Sequence, residues 1–344
     1  MLRVISIGII CLMGLYSFMG INGNAYPEKL SDWQIFEGKL SMLRPKQGVV
    51  PYALNTPLYS DYAEKTRFVR LPAGTSVNYQ SKGVLDFPIG TLLIKIFYYP
   101  ADFRKPGKNK NIIETRLLIK ETNDWKAITY VWNDEQTEAF LEIAGDDKQV
   151  AFIDKEGKKQ QVRYVIPNQN QCKGCHNVNN ILMPIGPTVA QLNGKLKYST
   201  GTNNQIDYWK SHQMLLNVPA KNAIPKMMVW NDPATGDLNS RARAYLDVNC
   251  AHCHRREGPA QSSGLFLNED EKDPTAIGIN KAPVAAGKGS GGRMVDILPG
   301  DANGSIVWYR MQTQAPGERM PELGRNLVHT EGLALIKDWI EQMK

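Results

Sequence analysis

The sequence predicts a multidomain α+β chain: an all-β sandwich or jelly-roll-like region over residues 27–166, followed by a mainly α region reaching the C-terminus. Three observations predict it. Short runs rich in β-branched and aromatic residues recur up to Ile166, with turn residues between them. Strand alternation fades from Gln171 onward. Two later stretches, 237–250 and 330–343, carry apolar residues at helical spacing.

In chain order, strands are expected at 66–71, 90–99, 114–119 and 127–132, and a hairpin pairs 149–154 with 160–166 around Lys155-Glu156-Gly157-Lys158. Leu71-Pro72-Ala73-Gly74 and Phe87-Pro88-Ile89-Gly90 read as turns. One short helix is expected over 134–143, and 167–171 reads as loop, leaving no helix ahead of Cys172. Residues 167–233 read as short helices and loops. In 237–250, Asp237 is the N-cap of a helix whose face holds Leu238, Ala242, Tyr245, Leu246 and Asn249. The final helix aligns Leu333, Ile336, Trp339, Ile340 and Met343, and the Gly/Pro/Ala-rich stretch 276–305 between the two is loop. Pro299-Gly300-Asp301 reads as a turn leading into a helix at 305–308.

The N-terminus has the pattern of an export signal. Arg3 supplies a positive start, residues 4–19 form an uncharged, largely apolar run, and Gly23-Asn24-Ala25 offers small residues for cleavage, so 1–25 is expected to be a signal peptide. Sixteen apolar residues fall short of a spanning helix, so the mature chain is expected to have no membrane span. An uncleaved anchor is the alternative. The net charge of +7 is dispersed, and its densest stretch, Arg104-Lys105-Pro106-Gly107-Lys108-Asn109-Lys110, reads as a loop. Dispersed basicity argues against nucleic acid and suits steering toward an acidic partner protein.

Four of the five cysteines fall in two motifs, Cys172-Lys173-Gly174-Cys175-His176 and Cys250-Ala251-His252-Cys253-His254. The spacing has a chemical reason. Two thiols on one turn can each add to a vinyl group of a single porphyrin, and the next histidine then reaches its iron. Cys172, Cys175, Cys250 and Cys253 are therefore expected to attach two haem c groups, with His176 and His254 as proximal iron ligands. Disulfides would leave both histidines unexplained, and a zinc site made of all four cysteines is the main competitor.

For the second haem, Met320 stands before Pro321, 66 residues beyond His254 and ahead of the last helix. A distal methionine in a class I cytochrome c-like domain occupies that place, so residues 234–344 are read as such a domain, with Tyr245, Leu246, Ile336 and Trp339 buried where its two helices cross. For the first haem, Met183 and His212 are the leading distal candidates, with Met214, Met227 and Met228 behind them. His252 and His329 read as exposed surface residues. Gly287 to Gly292 reads as a flexible loop, and Arg293, Arg310 and Arg319 are candidate partners for haem propionates.

Longer stretches carry a resemblance. Leu54-Asn55-Thr56-Pro57-Leu58-Tyr59-Ser60-Asp61, Phe87-Pro88-Ile89-Gly90-Thr91, Trp132-Asn133-Asp134-Glu135-Gln136-Thr137 and Ile166-Pro167-Asn168-Gln169 are its first carriers. Pro184-Ile185-Gly186-Pro187, Leu192-Asn193, Arg243-Ala244-Tyr245-Leu246-Asp247, Pro299-Gly300-Asp301 and Met320-Pro321 continue it. With these, the chain resembles a largely uncharacterised family of bacterial periplasmic dihaem c-type cytochromes, over most of its length. Met183 is not part of the pattern. The resemblance implies two haems, a periplasmic redox partner protein and electron transfer, and no particular substrate.

Two enzyme alternatives stand beside an electron carrier. A dihaem peroxidase would pair an electron-donating haem with one that opens to peroxide, but motifs 78 residues apart are close for two cytochrome domains. The other is the redox subunit of a periplasmic oxidoreductase whose β region binds substrate. All five histidines lie outside 27–166, which argues against a copper site there.

Overall fold

The computed structural model describes residues 26–344; the expected signal peptide at 1–25 lies outside the described residues. Six strands build the main sheet: β1 (Val49–Tyr52), β2 (Glu64–Arg70), β3 (Leu92–Pro100), β4 (Lys110–Lys120), β5 (Trp125–Trp132) and β6 (Ala139–Glu142). Each is antiparallel to the next, in the order in which they occur along the chain. That is a meander, which corrects the jelly-roll expectation. The tight turn at 121–124, where the Glu121 N–H donates to Asp124 O at 2.9 Å, returns β5 beside β4, while longer loops over 53–63 and 71–91 make the first two returns.

One face of the sheet is covered by the N-terminal segment, with Leu30, Ile35 and Phe36 packing on Phe68, Ile94, Ile96 and Tyr130. The other face is covered in two parts. The hairpin of β7 (Asp146–Ile153) and β8 (Lys159–Ile166) lays Phe152, Val162 and Tyr164 over Phe97 and Tyr99. The segment that follows it covers the rest, packing Cys172, Leu182, Leu192 and Trp209 against Val69, Leu93, Trp125 and Ala127. The sheet's second layer is thus a ribbon plus the segment bearing the first cysteine motif, not a second full sheet.

The helix expected over 134–143 is absent. Asn133 Oδ1 instead accepts from the N–H groups of Thr137 and Glu138, at 2.9 and 3.2 Å, closing a turn that leads into the edge strand β6. An asparagine side chain that satisfies local amides competes with a helix in this way.

Residues 167–233 hold α1 (Gln169–Cys175), α2 (Val189–Leu192) and α3 (Gln205–Ser211), with short strand pairs between them. Then come α4 (Leu238–Asn249), α5 (Pro274–Ile277), α6 (Ile306–Gln312) and α7 (Thr330–Glu341). Asp237 caps α4 as expected, its carboxylate accepting from the Ser240 N–H at 2.7 Å. Helices α4 and α7 cross with Tyr245, Leu246, Ile336 and Trp339 buried in one cluster. Gly332 allows that approach, because a Cβ there would run into the Tyr245 ring. Among the described residues, no helix is long and apolar enough to cross a membrane.

Candidate functional site

The first motif is built by α1. Asn168 and Gln171 cap it reciprocally, each side-chain oxygen accepting the other's N–H at 2.9 Å. This helix begins only three residues before Cys172 and corrects the loop expected there. Its last turn puts Cys172 and Cys175 on one side, and His176 closes it by donating its N–H to Cys172 O at 2.9 Å. A two-residue hairpin turn then folds the chain back, with Asn179 and Asn180 both at positive φ, at 50° and 65°. The return brings Met183 O to 2.8 Å from Nδ1 of His176. A carbonyl takes a proton, so Nδ1 is the protonated nitrogen and Nε2 keeps its lone pair. Burial holds the imidazole neutral, down to about 4. A neutral ring braced through Nδ1 is the state a metal ligand needs.

The second motif follows α4. The N–H groups of Cys253 and His254 both donate to Cys250 O, at 3.0 and 2.9 Å, which winds the five residues into one turn. Gly258 lets the chain pass, since a Cβ there would collide with Cys253 O. Nδ1 of His254 lies 3.3 Å from Ser263 Oγ, and burial again takes the imidazole down to about 4, with His252 and Arg310 adding repulsion.

Between the motifs the structure makes a contact that the sequence did not reveal. Cys175, His252 and Cys253 place one donor atom each within 4.8 Å of one another. His252 is buried, not exposed, because the spacer of its motif faces α1. A hydrogen bond between the sulfurs pulls the Cys175 thiol down and pushes that of Cys253 up, while burial raises Cys172 and takes Cys250 up to about 12.

A cavity of about 770 Å³ opens between the sheet, the first motif and the start of the second, with Cys172, His176, Ala251 and His252 in its wall. Its sheet side carries Arg67, Lys95 and Arg116, which lie directly opposite one another on β2, β3 and β4. Like charges in cross-strand register repel unless an anion offsets them. Glu114 offsets one, binding Arg116 through both carboxylate oxygens, and Tyr164 donates to the same carboxylate at 2.6 Å. Nη2 of Arg67 is buried without a partner. Burial, then the neighbouring cations, push Lys95 well below the usual lysine range.

The expected distal residues part company here. Neither Met183 nor His212 lines the cavity. The Met183 carbonyl braces His176 from the side away from Nε2. His212 is exposed at the end of α3, stacked 3.9 Å from Tyr208 with Nδ1 against Tyr208 O. Met227, by contrast, is buried and lines the cavity. Sequence order alone could not rank it, because only the fold shows which methionine faces the wall of His176.

Met320 lies on a loop held at both ends of its peptide. Its N–H donates to Arg310 O at 2.8 Å, and Arg325 donates to its carbonyl at 2.9 Å as well as to those of Met311 and Thr313. Arg310 also donates to Glu318 O at 2.8 Å. Arg293 stacks on Tyr309 at 4.2 Å, and Arg319 reaches Asn326 Oδ1 at 3.3 Å. Gly287–Ser290 is a 3-10 turn rather than free loop. His329 is not a surface residue either: it stacks on Tyr59 at 4.2 Å, meets Trp230, and shares a 2.9 Å hydrogen bond with Tyr245.

The donor set fits haem c. Each motif offers two thiols and one imidazole on a single turn, the first beside a cavity within the size range of cofactor sites. Arg67, whose buried Nη2 has no partner, is among the residues lining that cavity. Comparison with known proteins finds no matching family model, no matching curated protein and no matching solved structure.

Proposed function

We propose that this chain is an exported, periplasmic dihaem c-type cytochrome of the family it resembles, passing electrons to or from a redox partner protein. The observation that carries the reading is that both Cys-x-x-Cys-His motifs fold as single turns that end in a half-buried histidine whose imidazole is held neutral. Haem c supplies reversible one-electron chemistry at its iron when bound. The chain's residues would bind and orient it. Cys172 and Cys175 hold the first group, Cys250 and Cys253 the second, and His176 and His254 present a nitrogen to each metal. Met183 O and Ser263 Oγ fix the two rings. Arg67, Lys95 and Arg116 would receive the propionates of the first haem, because the row carries three positive charges against the single carboxylate of Glu114. Met320, clamped by Arg310 and Arg325, would be the distal ligand of the second haem, within a cytochrome c-like C-terminal region. Met227 replaces Met183 and His212 as the first-haem candidate on grounds of position.

Mass of the denatured protein and its pyridine haemochrome spectrum test the reading: two covalent haems are expected. Optical and electron paramagnetic spectra should then show two low-spin irons indifferent to peroxide; a high-spin iron that reacts with peroxide favours the peroxidase alternative. Met320→Ala should abolish the long-wavelength iron–thioether band. A second reading rests on the close approach of Cys175, His252 and Cys253, which would suit a zinc or copper ion. It leaves His176 and His254 without a role and supplies three ligands where structural zinc takes four. Stoichiometric zinc with no haem would establish it instead.

A further inference from the structure

The two motifs touch through their second cysteines. Sγ of Cys175, Sγ of Cys253 and a ring nitrogen of His252 lie within 4.8 Å of one another, and Sγ of Cys253 is 3.6 Å from Gly174 O inside the first motif. The contact is built, not incidental. The Asn179 N–H, in the hairpin turn after His176, donates to Glu257 O at 3.0 Å, just beyond His254. Asn249, one residue before the second motif, accepts the Tyr59 N–H on its side chain at 2.8 Å, and its own amide is tied to Tyr245 O at 2.9 Å. His252 is buried at the junction, with Nδ1 3.3 Å from Val248 O.

Resting on the reading above, in which each cysteine pair carries a haem, we infer that the two haems are held with neighbouring edges at this contact and act as one electronically coupled pair. A thioether sulfur stands two bonds from its porphyrin ring, through the former vinyl carbon. Neighbouring sulfurs therefore bring the corresponding edges of the two rings together, within the sulfur separation plus two such linkers. Both sulfurs come from the second position of their motifs, so the same edge of each haem is presented. Exchange within the pair moves one electron from a ferrous to a ferric iron; no bond forms or breaks and no proton travels. A one-electron donor protein would fill the pair in two steps. The first electron makes the second harder to add, because it places a negative charge beside the second site. The short spacing of the motifs in the chain has a purpose on this view: one haem is not isolated from the other by a domain of its own.

The test uses the full-length holoprotein. Denatured mass and the pyridine haemochrome spectrum count covalent haems, and two are expected. Circular dichroism across the Soret band should show a couplet of opposite signs, which collapses to a single-signed band in C250A/C253A, where only the first haem can attach. That variant can misfold, so the oxidised native protein is also examined by electron paramagnetic resonance. Its signals should be broadened and relax faster than those of the half-reduced sample. Either the couplet or the broadening supports the pair. Two haems by mass with an unsplit Soret band and strictly additive resonances overturn the inference while leaving the haem reading intact. Fewer than two covalent haems overturns both.

Discussion

Replacing Lys95 with methionine should change stability in opposite directions depending on what fills the cavity beside His176. Lys95 sits in register between Arg67 and Arg116, and the Glu114 carboxylate is taken by Arg116 and Tyr164. In the haem-free chain Lys95 is a half-buried cation among cations, pushed well down by burial first and by Arg67, Lys65 and Arg116 after it. Exchanging a poorly compensated buried ion for an apolar residue of similar volume should stabilise that form by about 1–2 kcal/mol. With two propionates bound, three cations face three carboxylates, and Lys95→Met then breaks a buried pair, costing about 3 kcal/mol. On the proposed dihaem reading it should also lower the reduction potential of the first haem, because a lost cation no longer disfavours the ferric state. A unit charge at about 8 Å, in an effective dielectric of about 20, is worth about 2 kcal/mol, or about 90 mV for one electron. Urea unfolding of both forms and a potentiometric titration of the holoprotein measure these effects. A stability change of the same sign in both forms, with the potential unmoved, would refute the idea that the row faces a bound anion.

Three further outcomes can be checked in the same protein. Asp61 is buried and accepts from the N–H groups of Asn326 and Leu327, at 2.6 and 2.7 Å, tying the segment after the Met320 loop to the β region; Asp61→Ala should cost about 3 kcal/mol through two lost charge-assisted bonds, and unchanged hydrogen exchange at those two amides would count against the clamp. Lys65, whose Nζ donates to Leu58 O at 2.9 Å, is taken down to about 7 by burial and then by Arg67. Between there and the ordinary lysine range near 10.4 the unfolded lysine holds a proton that the folded one has released, so its contribution to stability rises with pH; Lys65→Met should remove that share of the slope in urea midpoints taken near pH 7 and near pH 9. Arg325→Ala removes donors to three carbonyls around Met320 and should let the iron–thioether band fade at a lower temperature than in the parent, with Arg325→Lys recovering only part because one ammonium cannot fork to three acceptors. A band equally heat-stable in Arg325→Ala would show that the guanidinium does not hold the loop.

Much of the secondary structure was legible because it depends on local chemistry. Runs rich in β-branched and aromatic residues in 92–100 and 125–132, and the Asp237 cap ahead of an apolar stripe, are signals within a few residues. What could not be read depends on long-range packing. Periodicity says that a strand has a buried face, not which element covers it; the partner of β2 to β5 turned out to be the cysteine-bearing segment. His252 and His329 look like surface residues in isolation, since the residues that bury them are remote: α1 lies over the first, and Tyr59, Trp230 and Tyr245 surround the second. The 134–143 error was local, but it turned on one side chain, Asn133, out-competing the helical pattern.

The same long-range contacts bear on what the β region is for. A boundary drawn from composition near residue 166 or 233 separates strands from helices, yet the contacts that shape both motifs run across it. β2, β3 and β4 supply the cationic wall opposite His176. The segment after β1 reaches the second motif: Thr56 Oγ1 donates to Met228 O at 2.6 Å and accepts the Trp230 N–H at 3.1 Å, Tyr59 holds Asn249, and Asp61 holds 326–327. Those residues all belong to the Leu54–Asp61 stretch. Their work is structural and two-sided, fixing the start of the Cys250 turn and the loop after Met320 at once. The β region is therefore the frame that holds the two cysteine motifs against each other.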